Sequence, residues 1–511
     1  MRETEPELTL SRRRITVWGA LAGVVVVAGV AARFAAYSHL WLDETLSVNI
    51  ARLPLGELTD ALRHDGAPPL YYVLLHGWME VFGTSTVAVR ALSGVFAVAA
   101  LPLIWVAGSR LGGRRVAAAS VILLASSPFA IRYSTETRMY SLVTLLALVG
   151  WLALGDLLKR FSWPRAVAVS VTTALLLLSH YWSLYLLTVA GGVVAWRAWR
   201  GPGRPEARRA AVSMAVGSLA FLPWLPTFLF QLRHTGTPWA GAPDIKVLFD
   251  TVFQFSGGFW DPGFFLGLLV WFLILLALLG RAVDGRRIEL DLHTRAEAHP
   301  LVVVGFGSLT LAVVVGIVSG SGFAVRYASA LFPFFVLLVA LGTTRLLDVR
   351  VFRAVIGVAA VLGLIATIPG VAGERTSAAK VARVLRAEAR PGDVVAYCPD
   401  QVAPSVNRLL GERGLVEVPF PLGSSPDRVD WVDYAERNQA ATTQEFSRVL
   451  LERAGPDHDI WLVWAPGYQT FGPKCTVLQD RLEAARPDMT RIMKISDEYI
   501  ERPGLVRYRP S

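Results

Sequence analysis

The chain has 511 residues, of which 53% are hydrophobic and 18% charged, and its net charge is +10. Soluble proteins carry about 25% charged residues, so this composition excludes an ordinary soluble protein and indicates a membrane protein. The positive charge does not indicate nucleic-acid binding, because Lys and Arg recur in short clusters between apolar runs, as they do in cytoplasmic loops.

Apolar segments long enough to span a membrane follow one another along most of the chain. Arg12 to Arg14 place the N-terminus in the cytoplasm, and every loop then assigned to the inside carries at least three Lys or Arg. The first span has no convincing cleavage site and is expected to remain as an anchor. The sequence thus predicts a polytopic α-helical protein with about 11 spans, at residues 15–32, 91–107, 116–131, 139–158, 166–179, 183–195, 210–232, 264–279, 301–318, 327–341 and 354–371.

Residues 33–88 form the first extracytoplasmic loop in this topology. Apolar residues near helical spacing over 46–63 predict short amphipathic helices that lie on the surface. Residues 70–82 are apolar but too few for a comfortable span, and they follow Pro68 and Pro69. We therefore predict a juxtamembrane helix there, since proline suits the first turn of a helix.

The composition changes near residue 373, which divides the chain into a membrane domain, 1–372, and a C-terminal domain, 373–511. Segments 392–397 and 459–464 read as strands, with helical segments between and after them, which predicts a small α/β domain outside the membrane. The two cysteines, Cys398 and Cys475, both lie in this domain. On the extracytoplasmic side they can form a disulfide, but two unpaired thiols remain an alternative.

An acid pair, Asp43 and Glu44, follows the first span directly. Carboxylates at this position can cap a surface helix. They can also take a proton from an attacking hydroxyl, or hold a divalent cation. Glu136, in a loop on the same predicted side, is a partner carboxylate in either chemistry.

Arginines on the predicted outer side are exceptions to the charge rule. Arg138 and Arg326 each begin a span beside a tyrosine, Tyr140 and Tyr327, and a guanidinium there can bind a lipid phosphate through two parallel hydrogen bonds. Snorkelling or pairing with carboxylates is the alternative. His180, in a tight outer turn, is either a structural histidine or a substrate contact.

Four motifs in this order resemble the GT-C glycosyltransferases, and more narrowly the protein O-mannosyltransferase and aminoarabinose-transferase-like branch. They are WLDE at 41–44, PPLYY at 68–72, VRALS at 89–93 and RYSTETRMY at 132–140. Arg326 and Tyr327, with Pro333, also fit. The resemblance is specific over residues 40–140, weaker over 141–372 and absent in the C-terminal domain.

The resemblance implies transfer of a sugar from a polyprenyl-phosphate donor to a glycan, lipid or protein acceptor on the extracytoplasmic face of a bacterial plasma membrane. Asp43 would be the base and Glu44 its companion. The substrate or the donor phosphate would be bound by residues drawn from Glu136, Arg138, Arg326, Tyr327, His180, Tyr71 and His64.

Relatives usually have His or Lys before the two prolines, where this chain has Ala67. Either His64 replaces that basic contact or the contact is lost. Mannose or a pentose such as arabinose fits the branch, and a divalent cation between Asp43 and Glu136 is a further option.

A transporter or lipid flippase is the main alternative function, although no repeated halves are evident. A non-catalytic membrane scaffold is a second alternative, and it has no need of acids and arginines gathered on one side.

Overall fold

The computed structural model of the protein describes residues 5–237 and 240–510, with side chains from residue 17 onward. The side chains of Arg12 to Arg14, on which the predicted orientation depends, lie outside this part. Helices form most of the first 372 residues. They are α1 Glu5–Ala32, α2 Leu42–Ala51, α3 Leu55–Asp65, α4 Leu70–Phe82, α5 Thr86–Ala125, α6 Pro128–Ser134, α7 Tyr140–Lys159, α8 Trp163–Ser179, α9 Ser183–Trp199, α10 Arg204–Leu219, α11 Leu225–His234, α12 Val247–Phe255, α13 Gly263–Leu279, α14 His299–Val302, α15 Ser308–Ser319, α16 Phe332–Gly342 and α17 Val349–Ala372.

Length and apolar composition identify four helices of the described chain as able to cross a membrane, or five if the bent pair α10 and α11 counts as one span. The four are Thr86–Ala125, Tyr140–Lys159, His299–Ser319 and Val349–Ala372. Helices also cover the other predicted spans, several of them apolar but shorter than 18 residues. The chain is therefore a multi-helix protein of membrane type, and the number of about 11 spans stays a prediction.

Helix α5 is two antiparallel helices joined by a tight turn. Gly112 and Gly113 leave the helical conformation, and Gly113 has φ +74°, in the left-handed region that favours glycine. The two halves pack closely, because a Cβ on Gly108 would lie 2.8 Å from the Ser120 hydroxyl oxygen. The turn lies between the predicted spans 91–107 and 116–131, beside Arg110, Arg114 and Arg115.

A helix forms over residues 70–82 as predicted: it is α4, and Pro69 precedes it. Its position beside the membrane stays a prediction. Helices α2 and α3 likewise form over the region predicted to hold short amphipathic helices. The expectation that both lie on the surface is wrong for α2, whose residues are nearly all buried. Leu42 and Leu46 pack into the core of the C-terminal part, which covers this helix.

The C-terminal part contains a five-stranded mixed sheet of β3 Val394–Cys398, β4 Val416–Pro419, β5 Ile460–Trp464, β6 Met489–Met493 and β7 Gly504–Tyr508, in the order β4-β3-β5-β7-β6. Strand β3 pairs in parallel with β4 and β5. A short hairpin, β1 Gly280–Ala282 and β2 Ile288–Leu290, precedes it in the chain. The C-terminal elements are α18 Ala378–Glu388, β3 Val394–Cys398, α19 Ala403–Leu410, β4 Val416–Pro419, α20 Tyr434–Ala440, α21 Thr443–Ala454, β5 Ile460–Trp464, α22 Lys474–Ala485, β6 Met489–Met493 and β7 Gly504–Tyr508.

Strand β3 is buried on both faces of the sheet, which explains its continuous apolar sequence. Val394 and Ala396 pack against α21, α22 and α2, whereas Val395 and Tyr397 pack against α18 and α19. Strands form at both predicted strand positions. The proposed domain boundary falls between α17 and α18, but α2 shares a core with the sheet, and the division into two domains stays a prediction.

A disulfide joins Cys398, the last residue of β3, to Cys475 in the first turn of α22. The Cα atoms of the two residues are 5.5 Å apart, and the bond closes a sequence separation of 77 residues. It ties the face of the sheet that carries Val394 and Ala396 to α22.

Candidate active site

The acid pair lies at the beginning of α2. Trp41 is the N-cap residue, in extended backbone, and Asp43 and Glu44 occupy the first turn, where the helix dipole stabilises carboxylates. Consecutive residues on a helix point about 100° apart, so the two side chains face different surroundings. Glu44 is fully buried, whereas 17% of the Asp43 side chain is exposed.

Glu44 is held by a two-pronged ion pair with buried Arg90. The Arg90 Nε donates to Oε1 at 2.7 Å and its Nη2 donates to Oε2 at 2.6 Å, while the Thr137 amide donates to Oε1 at 3.0 Å. Burial by itself raises the pKa of Glu44, but the charge and hydrogen bonds of Arg90 hold it below its ordinary value. Glu44 therefore remains ionised and fully engaged.

Further charges surround this pair. Arg375, from the segment before α18, places Nη1 3.7 Å from Glu44 Oε2. Arg132 places Nη2 2.7 Å from Glu136 Oε1, an ion pair without hydrogen-bond geometry, since neither Glu136 oxygen has a hydrogen-bond partner among the described residues. Burial and the neighbouring Arg132 lower the pKa of Arg375 to about 10. The hydrogen bond from the Thr137 amide to Glu44 joins the loop that contains Glu136 to α2.

Asp43 faces two arginines that come from distant parts of the chain. Arg326 Nη2 lies 3.5 Å from Asp43 Oδ2. Arg138 Nη1 donates to the Ser47 hydroxyl at 3.1 Å and lies 3.5 Å from the Asp43 carbonyl oxygen. In both arginines the Nε group is buried without a partner among the described residues. The site therefore has guanidinium donors available beside a carboxylate.

Asp65, at the end of α3, is a site carboxylate that the sequence interpretation did not single out. Its Oδ2 accepts a 2.6 Å hydrogen bond from Tyr72, and the Tyr72 hydroxyl lies 3.3 Å from Arg138 Nη1. Burial and the nearby Asp43 raise the pKa of Asp65, although Arg138 and Tyr72 oppose the shift. In the sequence, only its position just before Gly66 and the proline pair could have marked Asp65 as a site residue.

His180 lies in the turn between α8 and α9 and packs between tyrosine rings. Its ring centroid is 5.9 Å from that of Tyr140 and 5.5 Å from that of Tyr327. Burial, with the positive charges of Arg138 and Arg326, lowers the pKa of His180 to about 3. The ring is therefore neutral at physiological pH, and it accepts a 3.1 Å hydrogen bond from the Trp182 amide.

The structure brings Arg138, Arg326, Tyr327 and His180 to the Asp43 side of α2, but not His64. The His64 Nδ1 lies 2.9 Å from the Asp430 carboxylate of the C-terminal part. Tyr71 acts on the site only indirectly: its hydroxyl lies 3.0 Å from the Ser93 hydroxyl, which donates to the Arg138 carbonyl. Ala67, at the position that is basic in relatives, is buried.

The C-terminal part also contacts the beginning of α2. The buried Glu501 carboxylate accepts hydrogen bonds from the Ser405 hydroxyl, at 3.0 and 2.9 Å, and from the Leu42 amide. Burial raises the pKa of Glu501 to about 7. A side chain from the end of the chain thereby satisfies an amide at the N-terminus of α2, one residue before Asp43.

A divalent cation between Asp43 and Glu136 is one option that the sequence leaves open. Asp43 and Glu136 each face an arginine, and the described residues contain no group of three or more His, Cys, Asp or Glu able to hold a metal ion. Hard cations take six or more oxygen ligands, including carboxylates and waters. A cation between Asp43 and Glu136 stays a prediction.

Comparison with known proteins reveals similarity to solved structures alone: no family model and no curated protein matches the chain. ArnT from Cupriavidus metallidurans in the apo state superposes with a TM-score of 0.62 at 14% identity, covering 98% of both chains. ArnT from the same organism bound to undecaprenyl phosphate has a TM-score of 0.60 at 13% identity, covering 96% of this chain and 97% of ArnT.

An oligosaccharyltransferase from Archaeoglobus fulgidus, in complex with Zn and sulfate, has a TM-score of 0.54 at 11% identity. That superposition covers 86% of this chain and 67% of the archaeal chain. The resemblance to the aminoarabinose-transferase-like branch is thus confirmed at the level of the fold. Its coverage extends over the C-terminal part, where the sequence motifs are absent.

Proposed function

Since the chain has the GT-C fold, we propose that it is a membrane glycosyltransferase that uses a polyprenyl-phosphate-linked sugar. The observation that carries this proposal is the position of Asp43 beside Arg138 and Arg326, with unpaired guanidinium donors. The Nε groups of Arg138 and Arg326 are buried without a hydrogen-bond partner among the described residues. These donors can bind the oxygens of an additional anion, such as a phosphate.

In the proposed reaction, an acceptor hydroxyl attacks the anomeric carbon of the donor sugar and transfers its proton to the Asp43 carboxylate. The new carbon–oxygen bond forms as the bond between the anomeric carbon and the phosphate oxygen breaks. Polyprenyl phosphate leaves with the electron pair, and Arg138 or Arg326 neutralises its charge. Attack opposite to the leaving group inverts the anomeric configuration.

The second member of the acid pair has a different role in this proposal. Glu44 has no oxygen free to receive a proton, because Arg90 and Thr137 occupy them. We assign Glu44 to positioning: it fixes the first turn of α2 and hence the Asp43 backbone. Asp65 and Tyr72 orient Arg138 from the other side.

The finer assignments are also proposals. The basic loops support a bacterial plasma-membrane protein with a cytoplasmic N-terminus, about 11 spans and a C-terminal domain on the extracytoplasmic face. The donor sugar is mannose or another hexose or pentose, and the acceptor is a glycan, lipid or protein of the cell envelope. No observation favours the transporter alternative. The charged residues of the site lie together, at the beginning of α2, at the beginning of α7 and in the helical turn Val325–Ala330, which contains Arg326.

The test is an assay of Asp43→Asn against a panel of polyprenyl-phosphate sugars. Asparagine keeps the size of the side chain and removes the base, so we expect a loss of about 100-fold or more in transfer rate. Asp60→Asn, an exposed acid on neighbouring α3, is the matched control. Near wild-type transfer by folded Asp43→Asn protein would refute the mechanism, and wild-type inertness towards every donor would refute the proposed activity.

A further inference from the structure

A polar groove separate from the Asp43 site lies between the end of α2, the turn from α4 to α5, and α19. Its volume is about 530 Å³, and its lining includes Asn49, Arg52, Thr84, Asn407 and Arg408. That volume falls within the about 300–1,000 Å³ of small-molecule sites. The proposed glycosyl transfer uses none of these residues.

Two arginines converge on one residue in this groove. Arg52 Nη2 donates to the Thr84 hydroxyl at 2.8 Å, and Arg408 Nη2 donates to the Thr84 carbonyl at 2.7 Å. Arg52 follows α2 and Arg408 belongs to α19, so the groove is assembled only where the C-terminal part meets the helical part. Two like charges are thereby brought close together.

No carboxylate of the described chain forms an ion pair with either guanidinium. Burial and the charge of Arg52 lower the pKa of Arg408 to about 10, and its Nη1 is buried without a hydrogen-bond partner in the described structure. Asp427 also lines the groove, but its carboxylate lies 3.2 Å from Arg428 Nε and accepts a hydrogen bond from Ser425. The groove therefore holds uncompensated positive charge and a free donor.

Exposed apolar side chains flank the Thr84 turn. Val81 and Phe82 end α4 and are 73% and 56% exposed, and Val87, at the beginning of α5, is 64% exposed. Helix α5 itself is long and apolar enough to cross a membrane. A chain segment that combines exposed apolar residues with nearby basic groups is typical of the lipid headgroup region.

We propose that this groove binds the phosphate of an anionic phospholipid, with Arg52 and Arg408 as its ligands and the acyl chains along the Val81, Phe82 and Val87 edge. Guanidinium groups bind phosphate oxygens through paired, charge-assisted hydrogen bonds. The bound phosphate compensates the two positive charges and gives the Arg408 Nη1 an acceptor. The lipid thereby joins α2 and α19 at the outer end of α5. This inference does not depend on the proposed transferase activity.

The test measures lipid retention by the full chain in nanodiscs that contain phosphatidylglycerol or phosphatidylcholine, read by native mass spectrometry. The wild type should retain phosphatidylglycerol preferentially. In the double variant Arg52→Gln, Arg408→Gln this preference should fall about 25-fold, which is about fivefold for each guanidinium. Arg413→Gln, an exposed arginine of the C-terminal part outside the groove, should keep the preference.

Two further arms make the result decisive. The variant Arg52→Lys, Arg408→Lys keeps the charges and should retain most of the preference, which separates lost binding from misfolding. Inorganic phosphate, added to phosphatidylcholine nanodiscs, should stabilise the wild-type protein against unfolding less than phosphatidylglycerol does. Equal retention of both lipids by the wild type, an unchanged preference in the glutamine variant, or full stabilisation by inorganic phosphate alone would each overturn the proposal.

Discussion

Replacing Glu44 by glutamine should destabilise the protein strongly, because the change leaves a buried guanidinium without its counter-charge. Arg90 is 4% exposed and its two hydrogen bonds to Glu44 are 2.7 and 2.6 Å long. Removing one partner of such a pair costs about 3–5 kcal/mol. We expect Glu44→Gln to lower the free energy of unfolding by about that amount.

The measurement is unfolding of the detergent-solubilised protein, followed by tryptophan fluorescence, with Glu57→Gln as an exposed control on α3. The pH gives a second readout. Since the pKa of folded Glu44 lies below its unfolded value of about 4.5, its contribution is present above that pH and is lost as the pH falls through the folded pKa. The stability of Glu44→Gln should lack this acid-side decline.

A double-mutant cycle then separates the pair from its surroundings. Glu44→Leu combined with Arg90→Met should cost less than the sum of the single changes, because no charge is left unpaired. The double variant should still fall short of wild type, since Arg90 also donates to the Ser38 carbonyl at 2.7 Å. That lost bond costs about 1–3 kcal/mol. Additive effects, or a Glu44→Gln variant as stable as Glu57→Gln, would refute the reasoning.

Two other predictions concern the C-terminal part. The pKa of Glu501 is raised to about 7 in the folded protein, so its stabilising contribution is complete below the unfolded value of about 4.5 and is lost as the pH rises to about 7. Thermal unfolding of wild type, but not of Glu501→Gln, should therefore show about 3 kcal/mol lost across that window, and parallel pH curves would contradict this. Separately, Cys398→Ser with Cys475→Ser opens a 77-residue loop and should cost about 4 kcal/mol, measured by urea unfolding. A reduced wild type as stable as the oxidised protein would contradict the second prediction.

Much of the local structure follows from patterns that neighbouring residues carry. Helix α4 forms over 70–82 because proline precedes an apolar run of that length, and strands β3 and β5 form where short apolar runs follow turns. The motifs also predicted the fold, because both their residues and their order along the chain can be read from the sequence. Asp43, Arg138 and Arg326 could be chosen because each stands at the predicted outer end of an apolar segment.

Contacts between distant residues were decided by the tertiary structure alone. His64 and Asp65 are adjacent, yet α3 turns Asp65 toward Tyr72 and His64 toward Asp430, since consecutive helical residues point about 100° apart. A rotation of α3 by about 100° about its axis would point His64 where Asp65 now points, and no local pattern sets that rotation.

The acid pair shows the same division between sequence and structure. Its charge and its position after the first span are properties of the sequence. The packing of the folded chain places Glu44 in the interior against Arg90 and Arg375, which lie 46 and 331 residues away. The same packing leaves Asp43 beside Arg326. A buried carboxylate needs a counter-charge, but which arginine supplies it depends on how the helices and the sheet pack together.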